Sequence, residues 1–135
     1  DKSKGTYNAA SPDELALINA AKQFGFVFKG EDENDNYWVD EMDKKDLTKV
    51  EKSHKYELLN VCEFDSTRKR MSVILKEKET GKIILMCKGA DSIIKERLSQ
   101  DSLNSEVFKE TQSAVDECAR IGLRTLFLAE KILDD

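Results

Sequence analysis

Apolar and polar positions alternate over three stretches near the middle of the chain. Tyr56–Phe64, Met71–Leu75 and Lys82–Cys87 carry Val, Ile, Leu, Phe and Cys at strand spacing, with turn-forming residues between them. They predict a three-stranded meander, in which the end of the first strand and the end of the third share one edge. Phe64 and Lys88 fall at that edge. Upstream, Ser11-Pro12-Asp13-Glu14 combines an N-cap serine, a proline at the first helical position and a glutamate at the third. The helix it opens carries Leu17, Ile18, Ala21 and Phe24 on one face, and Gly25 is its C-terminal cap. Asp1 to Ala10 is polar and reads as extended.

Phe26-Val27-Phe28 predicts a short strand between Gly25 and Gly30. From Glu31 to Lys55 the chain is mostly charged, with Asn36-Tyr37-Trp38-Val39-Asp40 as its apolar island. Residues 29–55 are therefore expected to form a charged, mobile excursion holding one short strand. Beyond the meander, Ala90 to Leu98 reads as a helix, Ser99 to Asn104 as a polar link, and Ser105 to Ile121 as a long helix closed by Gly122. Phe108, Val115, Cys118 and Ala119 are its expected inner face. Thr125–Ala129 is a final strand, starting directly after Arg124. Helices and strands mix without βαβ alternation, which predicts an α+β fold: a mainly antiparallel β-sheet flanked by helices.

With 135 residues the chain is long enough for one domain, 1–135, with its own core. A net charge of −5 argues against nucleic-acid binding driven by bulk charge. Cys62, Cys87 and Cys118 have no metal-ligand spacing and are odd in number, so they read as small buried residues of a reducing compartment. No apolar run is long enough to span a bilayer.

Exclusion narrows the chemistry. Gly25 and Gly30 have the glycine spacing of a phosphate-binding loop, but Glu31-Asp32 stands where lysine and serine are needed and would repel a phosphate. His54, the sole histidine, sits in the charged stretch without a second ligand nearby, and reads as a solvated residue rather than a base or metal ligand. No catalytic residue and no metal site is recognisable. What remains is a set of binding groups suited to a nucleotide. An aromatic ring at Phe64 can stack on a purine, worth about 1–3 kcal/mol. Lys88 stands beside Gly89, which adds no side chain to obstruct a ligand. Arg68, Lys69 and Arg70 add positive potential, and Arg124 offers a fork suited to phosphate oxygens. From residue chemistry alone, Phe64 as core and these cations as exposed strand-end charges is the simpler reading, with nucleotide binding open beside it.

Four blocks resolve more. Ala9-Ala10-Ser11-Pro12-Asp13-Glu14-Leu15-Ala16-Leu17, Phe64-Asp65-Ser66-Thr67-Arg68-Lys69-Arg70-Met71-Ser72-Val73, Cys87-Lys88-Gly89-Ala90-Asp91 and Gly122-Leu123-Arg124-Thr125-Leu126 span nearly the whole chain. Together they resemble the nucleotide-binding domain of P-type ATPases, in the phospholipid-transporting flippase branch. The resemblance implies ATP binding, with Phe64 as the adenine-stacking ring, Lys88 lining the adenine pocket and Arg124 on the phosphate side. It places Glu14 at the pocket's edge and makes Ser66 a weaker polar contact. Arg68-Lys69-Arg70 becomes a family signature whose individual contacts stay unassigned.

The family's phosphorylated aspartate, in an Asp-Lys-Thr-Gly-Thr motif, is absent from this sequence, as are its magnesium-binding acids and transmembrane helices. The resemblance therefore implies a fragment of a cytoplasmic domain of an integral membrane protein, with the domain's C-terminal part among what could lie beyond it. Such a fragment, expected as a monomer, would bind ATP without hydrolysing it. In the parent, Mg2+-assisted phosphoryl transfer to the aspartate would drive lipid movement, with phosphorylation and actuator domains and a membrane accessory subunit as partners. Two alternatives stay open: a non-catalytic module for another anionic ligand, and a protein-interaction domain.

Overall fold

The computed structural model describes residues 11–133. The extended segment expected over Asp1–Ala10, including the Ala9-Ala10 pair, lies outside the described residues. The chain runs α1 (Pro12–Gln23), β1 (Phe26–Glu31), β2 (Asn36–Met42), β3 (Val50–Cys62), β4 (Arg70–Glu77), β5 (Ile83–Gly89), α2 (Asp91–Lys95), α3 (Gln100–Leu103), α4 (Glu106–Arg120) and β6 (Phe127–Leu133). The strands are hydrogen-bonded in chain order, β1-β2-β3-β4-β5-β6. β1–β2, β2–β3, β4–β5 and β5–β6 are antiparallel, giving the α+β sheet with flanking helices that the sequence pattern implies. Two compact units divide the chain within β3: one ends at Glu57 and takes in the turn Glu77–Gly81, and the other comprises Leu58–Lys76 and the chain from Lys82 on.

In the first unit, the Ser11 hydroxyl accepts a hydrogen bond from the Glu14 amide at 3.2 Å, so α1 is capped as its sequence predicts. Its expected apolar stripe is only half realised. Ile18 and Ala21 are partly covered, but Leu17 is exposed and Phe24 is 82% exposed. The helix ends one residue before Phe24, and Gly25 at φ 94° turns the chain away before that ring can follow the helical phase.

Residues 31–55 hold two strands rather than one: β2 and the first part of β3 pair from Asn36↔Glu57 to Met42↔Val50. A side chain pins the β1–β2 turn. Asp32 Oδ1 accepts from the amides of Asn34 and Asn36 at 2.8 and 3.0 Å, and its Oδ2 accepts from Trp38 Nε1 at 2.8 Å. His54 is not a solvated loop residue. It lies within β3 opposite Val39, its Nε2 stands 2.9 Å from Glu41 Oε2, and its ring stacks on Tyr56 with centroids 6.5 Å apart. The strand continues through the charged stretch because alternation, not mean polarity, decides whether one face can be covered.

The second unit builds its core from few residues. Ile94 and Phe127 are 2% and 4% exposed, and the Phe108 ring meets Phe127 edge-on at 6.4 Å. Full burial of such side chains is worth about 1.5–3 kcal/mol each. α2 packs on β5 and β6; it stops at Lys95, short of the Leu98 end expected. The link at Ser99–Asn104 is instead α3, capped by Ser99 Oγ accepting from Ser102 N at 3.1 Å.

Ser105 caps α4 by accepting from the Phe108 amide. Gly122, at φ 82°, ends it: its amide donates to Ala119 O at 3.0 Å and the Leu123 amide to Cys118 O at 2.9 Å. Phe108, Val115 and Cys118 are half-buried as expected, but Ala119 is exposed. With an inner face this narrow, residue 119 rotates past the edge of the covered stripe. β6 starts at Phe127, so Arg124 belongs to the preceding loop rather than to the residue just before the strand.

Candidate functional site

Within the second unit, four chain segments meet at one end of the strands. β3 runs out at Cys62, β4 starts at Arg70 opposite Gly89 near the end of β5, and β6 starts at Phe127 opposite the same Gly89. The loops that carry Phe64 and Ser66, between β3 and β4, and Arg124, between α4 and β6, therefore leave from the end where β5 presents Lys88. Topology thus brings Phe64, Ser66, Lys88 and Arg124 to one end of the sheet. Glu14 lies on α1 of the first unit.

Lys88 is inside β5 rather than beyond it, paired with Met71 on one side and Leu128 on the other. Side chains on facing positions of neighbouring strands share a face. Met71, Val73, Met86 and Leu128 therefore stand around the lysine stem. They line, with Lys88, a cavity of about 520 Å³, a size that admits a nucleotide base and sugar. Leu128 is 68% exposed and Phe64 63% exposed, so the apolar surface here is open to a ligand. Phe64, Ser66 and Arg124 stand outside this cavity's walls. The walls themselves were hard to see in the sequence, where Met71, Val73 and Met86 read only as strand hydrophobics. The signal was a lysine breaking an otherwise apolar row at period two.

The loop that holds Phe64 is braced from within. Asp65 Oδ1 accepts from the amides of Thr67 and Arg68 at 2.8 and 2.6 Å, and the Lys69 amide donates to Asp65 O at 2.9 Å. Arg68 Nη1 donates to three carbonyls, those of Glu63 at 2.6 Å, Cys62 at 3.0 Å and Arg70 at 3.3 Å. Arg70 Nη1 returns to Arg68 O at 3.0 Å. The arginines of the Arg-Lys-Arg signature thus hold backbone, satisfying carbonyls that the turn would otherwise leave unpaired. Gly89 has a different role from the one its sequence suggests. A Cβ there would lie 2.7 Å from Lys69 O and 2.8 Å from Arg70 Cβ. The missing side chain admits the neighbouring backbone rather than a ligand.

Among the described residues no group of three or more His, Cys, Asp or Glu is placed to hold a metal ion, and no step through a metal is assigned to them. No helix among them is long and apolar enough to cross a membrane.

An antiparallel sheet with flanking helices, and a lysine set in an apolar face beside two open loops, agree with one class of protein. The chain belongs to the family of the P-type ATPase cytoplasmic domain N, whose sequence model matches residues 2–135. It is 45% identical over 135 residues, all of this chain, to Probable phospholipid-transporting ATPase 12 of Arabidopsis thaliana, and covers 11% of that protein. Over 130 residues, 96% of the chain, it is 45% identical to Phospholipid-transporting ATPase 10 of the same plant, of which it covers 10%. Human Phospholipid-transporting ATPase ID is 44% identical over 129 residues, 96% of the chain and 10% of that protein. The chain spans about a tenth of the length of these relatives.

Proposed function

We propose that this chain is the ATP-holding domain of a phospholipid-translocating P-type ATPase, acting as a single nucleotide-binding domain over residues 1–135. Adenine stacks on Phe64 and rests on the apolar face around Lys88, whose ammonium attracts the nucleotide. Arg124 serves the phosphate side and Ser66 a weaker polar contact. Glu14 is included on the strength of the family resemblance alone. The observation that supports this reading best is the convergence of the Phe64 loop, Lys88 and the Arg124 loop on one end of the strands, beside an open apolar cavity.

Binding without hydrolysis is the chemistry these residues can supply. They orient the nucleotide and present its terminal phosphate to an aspartate on another domain of the parent, and positioning of this kind supplies a large part of the lowering of a phosphoryl-transfer barrier. Mg2+, the phosphorylation and actuator domains, the membrane-spanning region and an accessory subunit belong to that parent. The isolated chain is expected to be monomeric.

The test is an NMR titration of the chain with ATP, repeated with GTP, with inorganic phosphate, and with Phe64→Ala and Lys88→Ala. Saturable shifts at Phe64, Lys88 and Arg124 that fade in both variants are expected, with ATP preferred over GTP. Equal response to all three ligands would instead mark a general anion module. Unchanged ATP binding in both variants would overturn the assignment.

A further inference from the structure

The opposite face of the second unit's strands carries a separate cavity of about 790 Å³, between β4, β5 and β6 and the segment from α2 to α3. Ser72 on β4 and Lys131 on β6 reach it from the sheet, and Arg97 and Ser99 from the helical side. Its composition is unlike that of the Lys88 face. Four cations, Arg68, Arg70, Arg97 and Lys131, line it against one carboxylate, Glu130. By strand alternation Glu130 directs its side chain away from the face that Ala129 and Lys131 share.

The cations are not all spent on protein partners. Arg68 gives one nitrogen to its three carbonyls and Arg70 one nitrogen to Arg68 O, leaving the remaining guanidinium donors of each. Arg97 uses Nη1 on the Ile93 carbonyl at 2.7 Å and on Glu96. Lys131 makes no ion pair among the described residues. Ser72, on the sheet face, is 6% exposed and lines the cavity from β4. Leu85, Ile94 and Leu98 give the cavity an apolar portion of wall, beside the hydroxyl residue Ser102.

We propose that this cavity is a second ligand site, distinct from the Lys88 face, that takes a small organic phosphate: an anionic head held by Arg97, Lys131, Arg70 and the Ser72 hydroxyl, and an apolar body on Leu85 and Leu98. The geometry selects for that class on two counts. Bidentate guanidinium donors and a hydroxyl suit a phosphate's tetrahedral oxygens. The volume is several times that of a lone phosphate and its floor is apolar, so a body attached to the head adds affinity by burial.

The test uses phenyl phosphate and, separately, inorganic phosphate, titrated into the chain and followed by amide NMR shifts. Saturable shifts at Ser72, Ile94 and Leu98 are expected, with phenyl phosphate binding at least about tenfold more tightly than inorganic phosphate. Arg97→Gln and Lys131→Gln replace exposed side chains, and unchanged spectra away from the cavity verify their fold. Each is expected to weaken phenyl phosphate about tenfold or more, as loss of a charge-assisted hydrogen bond does. The proposal is overturned by absence of saturable shifts, by shifts confined to Phe64, Lys88 and Leu128, by unaltered affinity in both variants, or by equal affinity for the two probes.

Discussion

A methyl group on Gly89 would stand 2.7 Å from the carbonyl oxygen of Lys69. Lys69 is itself held at φ 53°, and its carbonyl accepts from the Ala90 amide at 3.4 Å. The start of β4 and the end of β5 are therefore locked against each other at the residue next to Lys88. Gly89→Ala forces that contact apart, because both clashing partners are backbone or Cβ atoms that cannot rotate away. The expected loss of stability is about 1–3 kcal/mol, the usual cost of overpacking, read from the denaturant midpoint at unchanged m value. ATP affinity should fall with it, since Lys88 moves with the strand end.

Arg68 is expected to behave as a structural residue. Its Nη1 holds the carbonyls of Cys62, Glu63 and Arg70, and a lysine ammonium, one bond nearer the backbone, does not reach the position that Nη1 occupies. Arg68→Lys should cost about 1–3 kcal/mol through carbonyls left unpaired, while Lys69→Gln, on an exposed neighbour, should stay within about 0.5 kcal/mol of the parent. Chemical denaturation of the two variants side by side checks this. Equal stabilities would mean that Arg68 acts only as a surface charge.

Asp32 makes the first unit sensitive to acid. Its carboxyl is lowered from the ordinary 3.8 to about 2, first by the hydrogen bond from Trp38 Nε1 and then by the amides it accepts from. A depressed folded-state pKa means that the ionised form is the one the folded hairpin prefers. The stabilisation is fully present above about pH 4 and is lost as pH falls through about 2. Trp38 fluorescence should report the turn loosening over that window in the wild-type chain. In Asp32→Asn, the same acid-dependent change should be missing and the turn weaker at neutral pH.

How much of this was legible beforehand differs between the two units. In the second, alternation located β4 and β5, and the Ser105 and Gly122 caps located α4, because local chemistry and tertiary packing agree there. In the first, the charged run hides that β2 and β3 pair across it, and His54 reads as solvated although a carboxylate and a tyrosine ring stand beside it. Pairing between neighbouring strands whose residues are mostly charged leaves no apolar alternation to mark it. Phe64, Lys88 and Arg124 can be named from motif resemblance; the meander brings the first two to one strand end, and the pairing of β6 with β5 brings the Arg124 loop there. The internal uses of Arg68 and Gly89 could not be read, since a residue that holds backbone looks in sequence like one that holds a ligand.

Lys88 separates the two demands made on one position. Its stem lies among Met71, Met86 and Leu128, and its ammonium is the part proposed to meet the nucleotide. Lys88→Met keeps a linear apolar side chain of similar length and removes only the charge. Stability should keep what the packed stem supplies, while ATP affinity drops about tenfold or more with loss of a charge-assisted contact. Lys88→Ala removes the stem as well, and should lower both. Thermal melts and ATP titrations on the pair distinguish these effects. If Lys88→Met binds ATP as the parent does, the lysine contributes only its carbon chain, and the nucleotide's charge must be met elsewhere at this end of the sheet, with Arg124 the next cation to neutralise.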